Sequence, residues 1–291
     1  MQIREALAQA VESLRNQEVE SPRLDAELLL AHVLQVNRAA VLTWPDRSLA
    51  PKQLTSFRDL VSRRAAREPL AYVVGHREFF GLDFAVDPRV LIPRPETELL
   101  VERAIEIARG LPRPKIADVG AGSGAIAVAV AVHLPSAVVF ALDSSAGALA
   151  VVAENAQRHG VAGRVCCLKG DLLEPLPEPV DVVVANLPYV TTEEWMALPP
   201  EIRDYEPRPA LDGGADGLAF IRRLFETACR TMRPEGAILV EIGASQGAAV
   251  TTLARETCPD AQVTLCRDLA GLDRMIVVRG HGTEAVSCSG A

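Results

Sequence analysis

Two short stretches of this sequence combine residue types and spacings suited to chemistry. The first is Asp118-Val119-Gly120-Ala121-Gly122-Ser123-Gly124. It follows an apolar run and opens a helical pattern, so its glycines let the backbone turn sharply and let a ligand approach closely. Asp143 ends the next apolar run, where a carboxylate can accept hydrogen bonds from both hydroxyls of a ribose. Asp171 and Leu172 follow a third run, in Lys169-Gly170-Asp171-Leu172-Leu173, and a carboxylate there can accept from an adenine amino group. The second stretch is Asn186-Leu187-Pro188-Tyr189, directly after Val180–Ala185. The asparagine side-chain oxygen and the carbonyl of Leu187 can accept two hydrogen bonds from one NH₂ group, which fixes its nitrogen and aims the lone pair. The Tyr189 ring can pack on a flat target.

These residues need a frame that brings strand ends together, and the pattern supplies one. From Pro95 onward, helical and extended runs alternate: helix Thr97–Arg109, strand Lys115–Val119, helix Gly124–Val132, strand Ala137–Leu142, helix Ser145–His159, then strands Arg164–Leu168 and Val180–Ala185. Helix Gly217–Met232, strand Ala237–Ile242, helix Gln246–Thr257 and strands Ala261–Cys266 and Arg274–Val278 complete the series. Alternation of this kind means an α/β fold with a mostly parallel sheet covered on both faces. The last two strands are too close for a parallel crossover, which needs about a dozen residues, so the final strand is antiparallel. In such a sheet ligands bind at the carboxyl ends of the strands, where all the residues above lie.

Residues 1–75 show no strand pattern and read as a small helical bundle. Ile3, Leu7, Ala10, Val11 and Leu14 recur at helical spacing, Ser21-Pro22 starts a second helix, and a third begins near Pro51. Residues 76–95 form a β-hairpin, Glu78–Phe80 against Phe84–Val86, and a Pro-rich linker; 96–280 form the α/β domain, and 281–291 are expected to fray.

The glycine stretch alone does not choose a cofactor, because Gly120, Gly122 and Ala125 also fit a dinucleotide pattern. Its order, Asp-x-Gly-x-Gly-x-Gly, resembles the loop of S-adenosylmethionine (AdoMet) methyltransferases. Asn186–Tyr189 resembles the Asn-Pro-Pro-Tyr motif of methyltransferases that act on planar amide or amine nitrogens. Leu187 replaces the first proline; the backbone carbonyl survives, and what is lost is proline's fixed φ.

With these signals stand Pro69-Leu70-Ala71-Tyr72 with Gly75, Glu78-Phe79-Phe80-Gly81, Leu91-Ile92-Pro93-Arg94-Pro95-Glu96-Thr97-Glu98, Tyr205-Glu206-Pro207 with Ala210-Leu211, and Arg267-Asp268-Leu269 through Arg274. In this order, over about residues 1–280, the chain resembles the protein-(glutamine-N5) methyltransferase family (PrmC/HemK). The resemblance implies a Rossmann-like class I AdoMet-dependent sheet and methyl transfer to the glutamine of the Gly-Gly-Gln motif of class I peptide-chain release factors, leaving S-adenosylhomocysteine. It implies a cofactor site of Asp118, Gly120, Ala121, Gly122, Ser123, Gly124, Asp143, Asp171, Leu172 and Asn186. It implies a catalytic and substrate-binding site of Asn186, Leu187 (through its carbonyl), Pro188 and Tyr189, with Arg94 and Glu96 at the substrate border. The helical domain is expected to dock the release factor.

Composition narrows the field. The 291 residues carry 30 Lys+Arg against 38 Asp+Glu, a net charge of −8. Residues 1–78 hold 11 Lys+Arg and 10 Asp+Glu, so the acidity sits in the α/β part. That disfavours nucleic-acid binding, which needs basic surface, and with it a DNA adenine-N6 methyltransferase. A nicotinamide-dinucleotide oxidoreductase leaves Asn186–Tyr189 without a role, and a non-enzymatic module leaves the whole set unused. The six cysteines show no C-x-x-C pair, so they are expected to be reduced and to bind no metal. None of the five histidines falls in a motif. The N-terminus has no apolar signal core, and the longest apolar run, Ala125–Val132, is too short for a bilayer. A cytoplasmic monomer without membrane contact is expected.

Overall fold

The computed structural model describes residues 1–280 and resolves two compact units. The expected frayed tail, with Cys288, lies outside the described residues.

The smaller unit comprises Met1–His76 together with Pro199–Tyr205. Its helices are α1 (Ile3–Asn16), α2 (Pro22–Leu34), α3 (Arg38–Thr43), α4 (Pro51–Ala65) and α5 (Leu70–Val74). Helix α3 is not legible as a separate periodic run; a six-residue helix offers barely two turns of pattern, and Asn37 caps it through Oδ1 to Ala40 N. Ile3, Leu14, Leu29, Leu30 and Phe57 close the core of this bundle. The short helix Pro200–Arg203 joins it from far along the chain. Its Glu201 accepts from Arg67 at 2.7 Å and from Arg64 at 3.3 Å, and the Tyr205 hydroxyl donates to the Ala66 carbonyl.

The larger unit spans Arg77–Leu198 and the chain from Glu206 onward. Its first elements are the hairpin strands β1 (His76–Phe79), which it holds from Arg77 on, and β2 (Leu82–Ala85). The chain then gives α6 (Glu98–Ala108), β3 (Lys115–Val119), α7 (Ala125–His133), β4 (Val138–Asp143), α8 (Ala146–Arg158), β5 (Val165–Lys169) and β6 (Val180–Ala185). After these come β7 (Met232–Glu241), β8 (Gln262–Arg267) and β9 (Asp273–Arg279), with helices Ala219–Thr231 and Gly247–Thr257 between β6 and β8.

The main sheet has seven strands in the order β5-β4-β3-β6-β7-β9-β8, parallel except for β9, which runs antiparallel between β7 and β8. The run reverses direction between β3 and β6, and the crevice at such a switch point is where open α/β sheets bind ligands. Val119 pairs with Ala185, so the glycine loop and the Asn186 motif leave the sheet side by side. Strands β3 and β6 are almost wholly buried, as expected of near-continuous apolar runs covered on both faces. Helix α7, all alanine, valine and isoleucine until His133, is buried all round. It can sit this close because Gly124, at φ +77°, has no Cβ: one placed there would meet Val152 Cγ1 at 3.0 Å.

The cysteine expectation needs correction. Cys229 and Cys258 are joined as a disulfide, with Cα atoms 6.1 Å apart. Helices Ala219–Thr231 and Gly247–Thr257 pack together and unite residues that sequence spacing keeps apart. Cys166 and Cys167 are free and exposed on the edge strand β5. No group of three metal-ligating side chains occurs among the described residues, and no helix there is long and apolar enough to cross a membrane.

Candidate active site

A cavity opens at the carboxyl edge of the sheet, over the switch point. It is lined by Gly120 and Gly122 from the loop after β3, Asp143 from the end of β4, Asp171 and Leu172 after β5, and Asn186, Leu187 and Pro188 after β6. Val90 and Leu91, Pro207, Pro209 and Ala210, and Phe220 complete much of the wall. Eight residues expected to form the site therefore converge on one space. Asp118, Ala121, Ser123, Gly124, Tyr189, Arg94 and Glu96 do not line it.

The loop after β3 is held from below. Gly120, Gly122 and Gly124 all have positive φ. A Cβ on Gly120 would lie 3.1 Å from Leu187 Cδ2 and 3.6 Å from the Asn186 carbonyl oxygen, so the loop and the motif pack directly on each other. The Leu187 side chain is buried in the core, and its carbonyl receives no hydrogen bond from the described residues. Asp143 fixes the loop electrostatically: Oδ2 accepts from Gly122 N at 3.0 Å and Oδ1 from Ser145 N at 2.8 Å. Asp171 lines the cavity with one carboxylate oxygen paired to Arg223.

Asp118 has a structural place. It is 1% exposed, its Oδ2 accepts from Ala127 N at 3.0 Å, and its Oδ1 has no partner among the described residues. Burial pushes its carboxyl up to about 7, with the nearby Asp143 charge adding to the shift and the Ala127 bond opposing it.

The segment Arg94–Glu98 ties the site's walls to one another. Arg94 pairs with the buried Glu206, which also accepts from Ile92 N at 3.0 Å, so one carboxylate joins two walls of the cavity. Thr97 Oγ1 donates to Glu241 Oε2 at 2.7 Å and accepts from Asn186 Nδ2 at 3.0 Å. Glu98 Oε1 accepts from Phe80 N in the hairpin. Glu96 is exposed, with no contact to the cavity.

Tyr189 turns inward, its hydroxyl donating to Glu241 Oε1 at 3.1 Å. Burial and the Glu241 charge push the Tyr189 hydroxyl well above its ordinary value. Burial likewise raises the Glu241 carboxyl, against the hydrogen bonds from Thr97 and Tyr189. Beyond the motif, Gln246 Nε2 donates to the Tyr189 carbonyl, and Gly213 N donates to the Val190 carbonyl.

Sequence reasoning missed Thr97 as a polar link and Glu241 altogether. The signal for Glu241 was present: a lone carboxylate closing the apolar run Ala237–Val240 at a strand's carboxyl end. The cluster Gly213, Gly214 and Gly217 also marked a close approach, since a Cβ on Gly213 would meet the Pro188 carbonyl oxygen at 2.6 Å.

Comparison with known proteins bears on both units. Residues 5–75 match the family model described as PrmC N-terminal domain, and 95–198 match the one described as methyltransferase small domain. A release factor glutamine methyltransferase of Nitratidesulfovibrio vulgaris is 44% identical over 276 residues, covering 94% of this chain and 93% of the relative. One from Moorella thermoacetica is 45% identical over 275 residues, covering 94% and 97%. Among solved structures, the hMettl16 catalytic domain in complex with MAT2A 3'UTR hairpin 6 matches at a TM-score of 0.59 with 15% identity, over 79% of this chain and 84% of that one; the likeness is one of fold. With relatives this similar over nearly its whole length, the chain belongs to the release factor glutamine methyltransferase family.

Proposed function

We propose that the protein transfers a methyl group from S-adenosylmethionine to the side-chain amide nitrogen of the glutamine in the Gly-Gly-Gln motif of class I peptide-chain release factors, in the cytoplasm. The observation that carries this reading is the setting of Asn186. Its amide nitrogen is engaged by Thr97, its oxygen receives no hydrogen bond from the described residues, and the neighbouring Leu187 carbonyl is likewise free. Two acceptors at the cavity rim are what one incoming NH₂ group needs.

S-adenosylmethionine fits the residues present. Gly120 and Gly122 line the cavity without side chains, and the Asp143 carboxylate lines it with lone pairs to spare for a ribose diol. Asp171 also lines the cavity, and its carboxylate, one oxygen of which is paired with Arg223, would accept from the adenine amino group. The cofactor supplies a sulfonium methyl, an electrophile whose sulfur leaves as a neutral thioether.

A neutral amide is a weak nucleophile because its lone pair is delocalised. The chain's own contribution is therefore orientation and electrostatics. Asn186 and the Leu187 carbonyl hold the two N–H bonds, and their acceptor dipoles interact more strongly as positive charge develops on nitrogen. Methylation would make a proton on the nitrogen acidic, and that proton would then be shed. No base need act beforehand. Pro188 shapes the rim, and the acidic α/β part tolerates a basic protein surface.

The test is mass spectrometry of the release-factor tryptic peptide containing the Gly-Gly-Gln motif, after incubation with enzyme and S-adenosylmethionine. One methyl group on the glutamine side chain is expected. An unmodified peptide, or label in DNA instead, would overturn the reading.

A further inference from the structure

We propose that Thr97 and Glu241 are positioning residues that lock the Asn186 amide with its oxygen toward the substrate; this rests on the reading of Asn186 as the acceptor. The two ends of an asparagine amide are nearly the same size, so packing alone barely distinguishes them. The chemistry distinguishes them completely. With the oxygen outward, Asn186 accepts from the glutamine NH₂. With the nitrogen outward, two NH₂ groups face each other and the nitrogen lone pair is not aimed.

Hydrogen-bond direction settles the choice, starting from Glu241. Its side chain is 1% exposed, and with the carboxyl ionised it can only accept. It takes the Thr97 hydroxyl proton at 2.7 Å and the Tyr189 hydroxyl proton at 3.1 Å. A hydroxyl has one proton, so Thr97 Oγ1 has only lone pairs left for Asn186, 3.0 Å away. Asn186 must therefore present its NH₂ to Thr97. A flip would set an amide oxygen against a hydroxyl lone pair and lose a partly buried hydrogen bond. The order carboxylate, hydroxyl, amide runs one way, and its outer end is the acceptor at the cavity. The same carboxylate anchors Tyr189, so both ends of the motif are referred to one buried group.

Thr97 and Glu241 lie 144 residues apart and come from different elements, the turn before α6 and the end of β7. Neither lines the cavity. Their effect must run through Asn186 and Tyr189.

The test uses the full-length enzyme with a release factor, measuring kcat, KM and S-adenosylmethionine affinity. Thr97→Val keeps the shape and removes the hydroxyl; kcat is expected to fall by about tenfold or more, the worth of one hydrogen bond, with cofactor affinity unchanged. Thr97→Ser, which restores the hydroxyl, is expected to return most of the lost turnover. Glu241→Gln can donate to Thr97 and so releases the direction of the relay; kcat is expected to fall again without loss of cofactor affinity, and it serves if Thr97→Val does not fold. Wild-type kcat in Thr97→Val or Glu241→Gln, or a Thr97→Ser enzyme as impaired as Thr97→Val, overturns the proposal. Asn186→Ala, run in parallel, separates the two readings. If it turns over normally, the acceptor assignment itself is wrong; if it is inactive while Thr97→Val is normal, only the positioning role is.

Discussion

Asn155 Nδ2 donates to the Ser123 carbonyl oxygen at 2.9 Å, joining the C-terminal half of α8 to the glycine loop. The same side chain donates to the Ala85 carbonyl at 3.0 Å and accepts from Ala85 N at 2.8 Å, so it completes the edge of hairpin strand β2 as a backbone partner would. One fully buried amide thus sets the hairpin and the cofactor loop against each other.

Replacing it with alanine leaves the Ala85 N–H and two carbonyls without partners in the interior. A buried group left unsatisfied costs about 1–3 kcal/mol, so Asn155→Ala is expected to destabilise the fold by about 3 kcal/mol in urea unfolding. Cofactor affinity is expected to fall as well, because the loop loses its anchor. Calorimetry that finds full affinity in a folded variant would rule out the link between hairpin and loop.

Gly120 gives a sharper handle on the loop. Alanine there must adopt φ +76° and place its methyl 3.1 Å from Leu187 Cδ2. The left-handed conformation alone costs about 1–2 kcal/mol for a residue with a side chain. Gly120→Ala is expected to weaken S-adenosylmethionine binding by about tenfold or more. Trimming the neighbour, in Gly120→Ala/Leu187→Ala, removes the contact but not the strained φ, so only part of the affinity is expected back. Full recovery would mean that the contact with Leu187 was the whole effect.

The strands and the residues at their ends were legible in sequence because they obey local rules. Lys115–Val119 and Val180–Ala185 are apolar runs ending in turn residues, and the structure gives them those bounds. What was not legible depends on side chains meeting across long separations. Thr97 reads as a small residue between two glutamates until the fold brings Glu241 to it. Pro199–Tyr205 follows the motif strand in sequence but packs with the helical bundle, and no periodicity in seven residues announces that. Cys229 and Cys258 look unrelated until two helices align them. Tyr189 reads in sequence as a ring surface for a flat target; that its hydroxyl is bonded to a buried carboxylate is visible only in the fold.

Arg64 tests how firmly the smaller unit holds its distant segment. Its guanidinium is buried, with Nε donating to Asp25 at 2.7 Å, Nη1 to the Glu68 carbonyl at 3.1 Å, and both terminal nitrogens to Glu201 at 3.3 Å. Removing one partner of a buried ion pair strands the others and costs about 3–5 kcal/mol. Arg64→Leu is expected to lower the stability of this unit by about that much, measured by denaturant unfolding. A change below about 1 kcal/mol, the scale of a surface pair, would show that the carboxylates are solvated without it.

Asp118 predicts a pH dependence whose sign is opposite to that of a salt-bridged carboxylate. Its folded pKa is raised from 3.8 to about 7 by burial, whereas the unfolded chain releases this proton near the ordinary value. Between those two values the folded state binds more protons at this site than the unfolded state. This group's contribution therefore falls as pH rises from about 4 to about 7, and it is level above that range once both states are ionised. Asp118→Asn keeps an acceptor for Ala127 N and cannot ionise. The stability difference between variant and wild type is expected to shift in the variant's favour across that window, as read from urea unfolding at several pH values. A difference that is flat from pH 4 to 7 would mean that Asp118 keeps an ordinary pKa, with water or a mobile loop reaching its unpartnered oxygen.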